Sequence, residues 1–551
     1  MLIGRVRLAI TLLAAAWLAG CTLPAPTAAP VRLRILAIND FHGHLKPPPD
    51  GLRTRDAADP AKTITVPAGG AEHLATQLER LRAGQRHHVF VAAGDLIGAS
   101  PLLSALFHDE PTIEALNLMR LDASAVGNHE FDKGADELLR QQRGGCHPID
   151  GCRGPKPFTG AEFQYLAAST IVKSTGKPLL PPYVVKRFDG IAVAFIGLTL
   201  EGTPRIVVPD GVAGLSFRDE AKTVNALVPE LRAQGIEAIV VLIHEGGLPT
   251  GGHNECPGIS GPIVDIVNRL DKAVDLVISG HTHRAYNCRI DGRLVTSGDS
   301  YGRIVTAIDV TLDPATRDIT SAVADNTIVH TDLPKDPRLS ALIEAYERLA
   351  APLAQRVVGR IAAPLSRDID AAGASTLGQL IADAQLAATR DAGAQIALMN
   401  PGGIRAPLPI PADGLVRYQD LFLVQPFSNP LVTMTLSGEQ LLKLLESQWT
   451  TRRSRVLQVS RGLVYAWDAA RPPGQRIVRD SVRIAGAPLD PAAAYRVTVN
   501  GYLAAGGDGF QVLKQGSDRR TGMMDVDALE RHLRENPGLA PPSLDRIRRL
   551  N

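Results

Sequence analysis

Short apolar segments rich in Val, Ile, Leu and Ala recur through the first part of the chain, separated by longer mixed stretches. Nearly continuous apolar runs of this length are typical of strands that are buried on both faces. The stretches between them are long enough for helices and loops, so the alternation predicts a layered α/β domain over residues 33–330. The predicted strands are 33–38, 89–93, 191–198, 238–243 and 274–279.

The pattern changes near residue 336, where apolar residues recur at helical spacing. Asp336 is suited to cap a helix that has Pro337 in its first turn. We therefore predict a helix over 336–358 that links two domains and occupies most of the segment 331–358.

A second apolar-rich region covers residues 359–520 and mixes helix and strand patterns, which predicts an α+β domain. Residues 521–551 are polar and charged and are assigned to a tail that contains one helix. The predicted helices are 377–389, 438–448 and 526–535, and the predicted strands are 396–399, 431–436 and 495–499.

The overall composition is that of an ordinary globular protein. With 551 residues, the chain is too long for one core, which agrees with two domains. Its 59 basic and 57 acidic residues give a net charge of +2, and no basic run stands out. We therefore expect no nucleic-acid polymer as a partner, whereas a small anionic substrate remains possible.

The N-terminus has the pattern of an export signal. Arg5 and Arg7 precede an apolar run that is too short to span a bilayer, so residues 1–20 are predicted to be a signal peptide. The run ends in Leu-Ala-Gly-Cys, which resembles the bacterial lipobox and implies lipidation of Cys21. Residues 21–32 would then be a tether. We expect an envelope lipoprotein at the outer membrane, facing the periplasm and attached only through this lipid.

Four further cysteines remain for the exported chain. An even number in an oxidising compartment predicts two disulfides, Cys146–Cys152 in a surface loop and Cys256–Cys288 between two loops. The alternative is a zinc site, which is less favoured because the spacings lack a paired Cys-x₂-Cys pattern.

Polar residues follow the ends of the predicted strands, and loops at the carboxyl ends of strands converge on one crevice in open α/β sheets. Carboxylate oxygens and imidazole nitrogens suit two divalent ions such as Zn²⁺ or Mn²⁺, about 3.5–4 Å apart with one shared carboxylate. Such a pair supplies hydroxide for in-line attack on a phosphoester. The strand-end motifs are Asn39-Asp40-Phe41-His42-Gly43, Gly94-Asp95, Gly127-Asn128-His129-Glu130-Phe131-Asp132, His244-Glu245-Gly246-Gly247 and Gly280-His281-Thr282-His283.

In this order the motifs resemble those of the calcineurin-like metallophosphoesterases, and specifically the bacterial 5′-nucleotidase/UDP-sugar hydrolase family. The resemblance extends over nearly the whole mature chain and implies a four-layer α/β/β/α metal domain. It also implies that His129 and Asp132 form a catalytic dyad. The implied metal ligands are Asp40, His42 and His283 for one ion, Asn128, His244 and His281 for the other, and Asp95 as the bridge.

The second domain resembles the nucleotide-binding domain of the same family. The resemblance implies that Phe427 and Tyr502 stack on the base and that Asp508 binds the ribose. Other family members have additional arginines here, for which Arg367 is the only nearby candidate. The remaining implied substrate contacts are Asn400, Gly403, Arg405 and Asn429.

These features predict an extracytoplasmic dimetal hydrolase that converts mainly 5′-nucleoside monophosphates to nucleoside and phosphate. Alternatives within the family are a 2′,3′-cyclic-nucleotide phosphodiesterase/3′-nucleotidase, a UDP-sugar pyrophosphohydrolase, or a thiosulfate-ester hydrolase. From a different class, the chain could be a non-catalytic envelope lipoprotein that binds nucleosides. The sequence leaves the native metal, the preferred nucleotide and the oligomeric state open.

Overall fold

The computed structural model describes residues 29–56, 59, 61–450 and 454–551. The predicted signal peptide, the lipidation site Cys21 and most of the predicted tether lie outside these residues. The first strand, Val31–Ile38, begins before the expected domain start at residue 33 because the side chain of Val31 is already buried in the sheet. Within the described part of the chain, no helix is both long and apolar enough to cross a membrane.

The first half of the chain forms two six-stranded sheets with parallel strands at their centres. In spatial order, the first sheet contains Asp318–Ile328, Ile304–Asp313, Val31–Ile38, His88–Ala92, Ala123–Ala125 and Gln164–Leu166. The second contains Ala285–Ile290, Arg293–Gly298, Leu276–Ser279, Ala238–His244, Ile191–Thr199 and Tyr183–Phe188. Each of the five predicted strands is present. Two short ribbons lie outside these sheets, Leu52–Arg55 with Thr63–Val66 and Thr170–Val172 with Leu215–Phe217.

The two sheets pack face to face and helices cover their outer faces. Ile35 and Val91 of the first sheet share an apolar core with Phe195 and Val240 of the second. The outer face of each sheet buries the apolar stripe of its helices. This is the predicted α/β/β/α arrangement. The helices are Ala71–Arg82, Glu110–Leu118 and Ala135–Arg143 on the first sheet, and Glu220–Ala233 and Pro262–Arg269 on the second.

The linking helix runs over Pro337–Ala354, and the carboxylate of Asp336 accepts hydrogen bonds from the N–H groups of Arg338 and Leu339, as the capping pattern predicts. The helix ends at Ala354, before the predicted residue 358. It ends early because Val357–Gly359 forms a strand that pairs with the second domain.

The second domain contains a mixed five-stranded sheet and a smaller four-stranded sheet. The larger sheet contains, in spatial order, Gln458–Val459, Ile396–Met399, Ala494–Asn500, Pro430–Ser437 and Ser517–Met524. The smaller contains Ala487–Pro488, Arg483–Ile484, Leu463–Asp468 and Ile547–Leu550, and Val416–Arg417 pairs with Val357–Gly359. The α-helices are Thr376–Ala388, Tyr418–Val424, Gly438–Glu446, Gly501–Ala504 and Asp525–Glu535.

The segment assigned to a tail, 521–551, is integrated into this domain. The helix Asp525–Glu535 buries Val526, Leu529 and Leu533 against Thr376–Ala388. Its apolar residues lie on one face, so a segment of polar overall composition still contributes to the core. The last strand, Ile547–Leu550, pairs in parallel with Leu463–Asp468.

Candidate active site

The strand-end motifs meet at one edge of the metal domain. Both sheets direct the carboxyl ends of their parallel strands to this edge, which is where loops of an α/β sheet form a crevice. We call the seven predicted metal ligands the strand-end cluster. Its members are Asp40 and His42 after Val31–Ile38, Asp95 after His88–Ala92, Asn128 after Ala123–Ala125, His244 at the end of Ala238–His244, and His281 and His283 after Leu276–Ser279.

The backbone of this cluster is unusual. Five members have left-handed φ values between 48° and 71°, a region that non-glycine residues rarely adopt. Each such residue costs on the order of 1–3 kcal/mol, and such strain concentrates at functional sites. Hydrogen bonds between the loops hold the backbone in this conformation. Asp40 N donates to Gly94 O and His42 N donates to Asp95 O, both at 3.0 Å. The five are Asp40, His42, Asp95, His281 and His283.

The side chains of the cluster converge although their loops are far apart in the chain. His283 Nε2 lies 3.2 Å from His42 Nε2 and 3.3 Å from Asp40 Oδ1. Asp95 Oδ2 lies 2.9 Å from His244 Nε2 and 3.7 Å from His42 Nε2, which places it between two groups of ligands. Within each group the ligand atoms lie within 4.8 Å of one another. The groups are Asp40, His42 and His283, and Asp95, His244 and His281.

The cluster fits divalent metal ions. Asn128 Oδ1 is buried and has no hydrogen-bond partner among the described residues. His42 Nδ1 donates to Gly98 O and His244 Nδ1 donates to Ala93 O, both at 2.8 Å. These bonds orient the rings so that Nε2 faces the cluster, a common arrangement for metal-ligating histidines.

The buried charges also favour a cation at this position. Burial raises the pKa of Asp95, but attraction to His244 and His129 outweighs it, so the pKa lies well below its ordinary value. Burial lowers the pKa of His244, yet Asp95 and Asp40 raise it to about 10. The cluster therefore holds carboxylates that require a positive charge beside them, and a bound divalent ion supplies one.

His129 and Asp132 lie beside the cluster. His129 Nδ1 is 2.7 Å from Asp132 Oδ2, which fixes the ring and leaves Nε2 for other partners. Burial lowers the pKa of His129, but the carboxylates of Asp132 and Asp95 outweigh this effect and the pKa is raised above its ordinary value. The two carboxylates therefore favour the protonated form of the imidazole.

A cavity of about 720 Å³ joins the cluster to the second domain. Asn128, His129 and His281 line it from the metal domain. The ring of Phe427 is nearly parallel to that of His129, with centroids 5.9 Å apart and planes inclined by 22°. All the predicted substrate contacts line this cavity, namely Asn400, Gly403, Arg405, Phe427, Asn429, Tyr502 and Asp508.

Asp508 is held from several directions within the cavity. The Tyr502 hydroxyl donates to Oδ1 at 3.1 Å and Asn400 Nδ2 donates to Oδ2 at 3.0 Å. The guanidinium of Arg455 pairs with the same carboxylate and also lines the cavity. Arg367 instead donates to the backbone carbonyls of Ile404 and Arg405. Arg367 therefore supports the loop that carries Arg405. The two arginines that line the cavity are Arg405 and Arg455.

Comparisons with known proteins agree with this geometry. The family model for the calcineurin-like phosphoesterase matches residues 33–285, and that for the 5′-nucleotidase C-terminal domain matches 357–515. A 5′-nucleotidase precursor from Thermus thermophilus, known from a crystal structure, is 30% identical in sequence to this chain. The two structures superpose with a TM-score of 0.77. That match covers 94% of this chain and 99% of the other. The chain belongs to the 5′-nucleotidase family of calcineurin-like phosphoesterases.

Two curated relatives of this 5′-nucleotidase family member are longer proteins. Endonuclease YhcR of Bacillus subtilis is 34% identical over 503 residues, which are 90% of this chain and 39% of the relative. Cell wall protein Lmo0130 of Listeria monocytogenes is 32% identical over 531 residues, which are 88% of this chain and 64% of the relative. The chain thus spans less than two thirds of either relative.

Two residues of the 5′-nucleotidase-family site have roles that the sequence analysis missed. The carboxylate of Glu130 accepts the N–H groups of Asp95, Leu96 and Gly127 at 2.6–3.0 Å. Asn39 Nδ2 donates to Asp40 Oδ2 at 2.7 Å. Both residues belong to the strand-end motifs. Their positions next to metal ligands in the sequence are the feature from which a supporting role could have been predicted.

Both predicted disulfides of this family member are present. Cys146–Cys152 closes the loop after the helix Ala135–Arg143. Cys256–Cys288 joins the segment after His244 to the strand Ala285–Ile290, which follows His283. The second disulfide therefore connects two segments that leave the strand-end cluster.

Proposed function

We propose that this chain hydrolyses nucleotides outside the cytoplasm, converting mainly 5′-nucleoside monophosphates to nucleoside and phosphate. The observation that carries the proposal is the continuous cavity that joins the strand-end cluster to the aromatic and polar side chains of the second domain. The facing rings of His129 and Phe427 support a substrate whose base binds next to the position of chemistry.

In this proposal Asp40, His42 and His283 would hold one ion, Asn128, His244 and His281 would hold the other, and Asp95 would be shared by the two groups. The donor set suits Zn²⁺ or Mn²⁺. When bound, such a pair activates water as the nucleophile and polarises the phosphoryl group.

The chain's own residues complete the chemistry. As water attacks phosphorus, the bond from phosphorus to the O5′ oxygen breaks, and protonated His129 stabilises the developing charge and supplies the proton to O5′. Asp132 fixes the tautomer and orientation of His129 through their 2.7 Å contact.

Substrate recognition falls to the second domain. Phe427 and Tyr502 offer aromatic faces to the base, and Asp508 with Asn400 offers hydrogen bonds to ribose hydroxyls. Arg405 and Arg455 provide two guanidinium groups for an anionic substrate, and a planar guanidinium can bind phosphate with two parallel hydrogen bonds. Asn429 and Gly403 complete the proposed contacts.

The extracytoplasmic location is supported by two features. Two disulfides are typical of proteins in an oxidising compartment. A relative that is 32% identical is named a cell wall protein. A lipid anchor at Cys21 and placement at the outer membrane are part of the same proposal.

A second candidate activity is cleavage of phosphodiesters such as 2′,3′-cyclic nucleotides. It is supported by the likeness to a protein named an endonuclease. Pyrophosphate cleavage in UDP-sugars is the remaining alternative. A non-catalytic nucleoside-binding role has less support, because every proposed ligand and both dyad residues are present.

The deciding experiment measures phosphate or nucleoside release by purified protein loaded with Zn²⁺ or Mn²⁺. The substrates are 5′-AMP, 2′,3′-cyclic AMP and UDP-glucose, and we expect the highest kcat/KM for 5′-AMP. Chelation of the metal and Asp95→Ala should each abolish turnover, whereas Asp189→Ala, a substitution on an exposed turn, should not. Absence of hydrolysis of all three substrates by the metal-loaded protein would refute the proposal.

A further inference from the structure

A second group of metal-ligating side chains lies apart from the strand-end cluster. His108, His147 and Asp150, which we call the loop cluster, place one ligand atom each within 4.8 Å of the others. His108 Nε2 is 2.9 Å from Asp150 Oδ2, and His147 Nδ1 is 3.7 Å from the same oxygen. Two imidazoles and a carboxylate are a common ligand set for Zn²⁺.

Two separate segments of the chain are held in place to form the loop cluster. His108 lies in the turn between the short helix Leu102–Ala105 and the helix Glu110–Leu118, with a φ of 54°. Its carbonyl accepts a hydrogen bond from Gln141 Nε2. His147 and Asp150 lie in the loop that Cys146–Cys152 closes, in which Gly151 N donates to His147 O at 2.9 Å. The strained turn and the closed loop therefore bring the ligands together before any ion binds.

His108 and Asp150 lie close together without a hydrogen bond between their side chains. His108 Nε2 is buried and makes no hydrogen bond to any described residue, although Asp150 Oδ2 is only 2.9 Å away. The carboxylate therefore approaches the ring away from the direction in which an N–H group would donate. His244 Nε2 and Asp95 Oδ2 show the same 2.9 Å separation without a hydrogen bond. The surface pair His87 Nε2 and Asp189 Oδ2 does so as well, at 3.0 Å.

The dyad provides the contrasting case within the same protein. His129 Nδ1 and Asp132 Oδ2 are 2.7 Å apart and aligned as a hydrogen bond. The His108–Asp150 pair thus lacks the histidine–carboxylate hydrogen bond of the dyad. His147 adds a third ligand atom to this pair, whereas among the described residues no third His, Cys, Asp or Glu ligand joins His87 and Asp189.

The neighbours of the loop cluster leave one carboxylate oxygen for an ion. Arg153 donates to Asp150 Oδ1 at 3.0 Å, so that Oδ2 faces the histidines. The rings of His108 and His147 are stacked at 3.8 Å, and coordination of one ion by both requires the His147 ring to turn about its side-chain bonds. Among the described residues, one hydrogen bond opposes that rotation. In this bond the backbone N–H of Asp150 donates to His147 Nδ1 at 3.2 Å.

We propose that His108, His147 and Asp150 bind a third divalent metal ion of the Zn²⁺ class. His108 and His147 line the same cavity as His129, so an ion bound by them would lie at the cavity wall. Three protein ligands with an open position are typical of zinc sites that admit water or another ligand. The ion would place positive charge on the cavity wall and attract anionic ligands. This proposal does not depend on the proposed nucleotidase activity.

The test counts bound zinc by mass spectrometry after equilibration with Zn²⁺ and removal of the excess. We compare the wild-type protein with His147→Ala and Asp150→Asn, and with His330→Ala as a control that removes an exposed histidine elsewhere. Each loop-cluster variant should hold one zinc fewer per chain than wild type, and His330→Ala should match wild type. The test uses the difference in zinc content between each variant and the wild-type protein. It therefore does not depend on how many ions the strand-end cluster holds.

Circular dichroism and the unfolding temperature establish that each variant is folded. Cobalt substitution gives a second readout, since the absorption of one Co²⁺ site should disappear in both variants. Folded variants that retain the zinc content of the wild-type protein would overturn the proposal, as would loss of zinc in His330→Ala to the same extent.

Discussion

The imidazole of His129 faces the phenyl ring of Phe427 across the boundary between the two domains, with centroids 5.9 Å apart. His129 comes from a strand end of the metal domain, and Phe427 comes from the loop before the strand Pro430–Ser437. A ligand that stacks on Phe427 therefore lies beside the residue proposed to donate the proton. This relationship makes the contributions of the two residues separable by experiment.

Phe427→Ala should weaken nucleotide binding more than it slows chemistry. Stacking of a base on an aromatic ring contributes about 1–3 kcal/mol, so KM for 5′-AMP should rise roughly 5–150-fold with a smaller change in kcat. Steady-state kinetics with 5′-AMP and with glycerol phosphate, which has no base, provide the measurement. Equal losses on both substrates would show that Phe427 supports the cavity and does not bind the base.

His129→Asn should slow the chemical step. A positioned general acid contributes about 10²–10⁴-fold, so kcat for 5′-AMP should fall within that range while KM changes little. Asp132→Asn should lower kcat in the same direction, because the amide no longer fixes the charged imidazole. Metal content measured on the same samples should equal that of wild type. An unchanged kcat in His129→Asn would remove this residue from the mechanism.

Glu130→Gln should weaken metal binding without removing a ligand. One carboxylate oxygen of Glu130 accepts the N–H groups of Asp95 and Gly127, and the other oxygen accepts that of Leu96. In either orientation of a glutamine amide, its NH₂ group would therefore face at least one of these donors. Substitution of groups that orient ligands commonly costs 10–100-fold in metal affinity, and we expect about that loss. Competition with a chromogenic chelator measures the affinity, and Glu162→Gln on the exposed surface is the control. Wild-type affinity in folded Glu130→Gln would contradict this role.

Asp525 should make stability depend on pH. Burial raises the pKa of its carboxyl from 3.8 to about 7, and the carboxylate also accepts the N–H groups of Asn429 and Val526. Between these pKa values the folded protein holds a proton that the unfolded chain releases. The free energy of unfolding contributed by Asp525 is therefore present below about pH 4 and decreases as pH rises through about 7.

Asp525→Asn removes this titration, so its unfolding temperature relative to wild type should be higher at pH 8 than at pH 5. Thermal unfolding of both proteins at the two pH values tests the expectation. The other titrating groups affect both proteins alike, so a constant difference between them would show that Asp525 does not titrate in this range.

The sequence by itself determined the features that depend on local pattern. Nearly continuous apolar runs predict buried strands, and the polar motifs at their ends lie where such strands finish. The cap at Asp336 is local as well, because it depends on N–H groups two and three residues away. The order of the motifs is sufficient to indicate the family and the metal domain.

Only the tertiary structure decided the features that depend on contacts between distant residues. Ala123–Ala125 is too short to recognise by pattern and exists as a strand because its neighbours in the sheet pair with it. The segment predicted as a tail enters the second domain because its few apolar residues share one helical face. Arg455 reaches the cavity while Arg367 does not, and no local pattern distinguishes two surface arginines. The loop cluster likewise exists only because a turn between helices and a disulfide-closed loop meet in space.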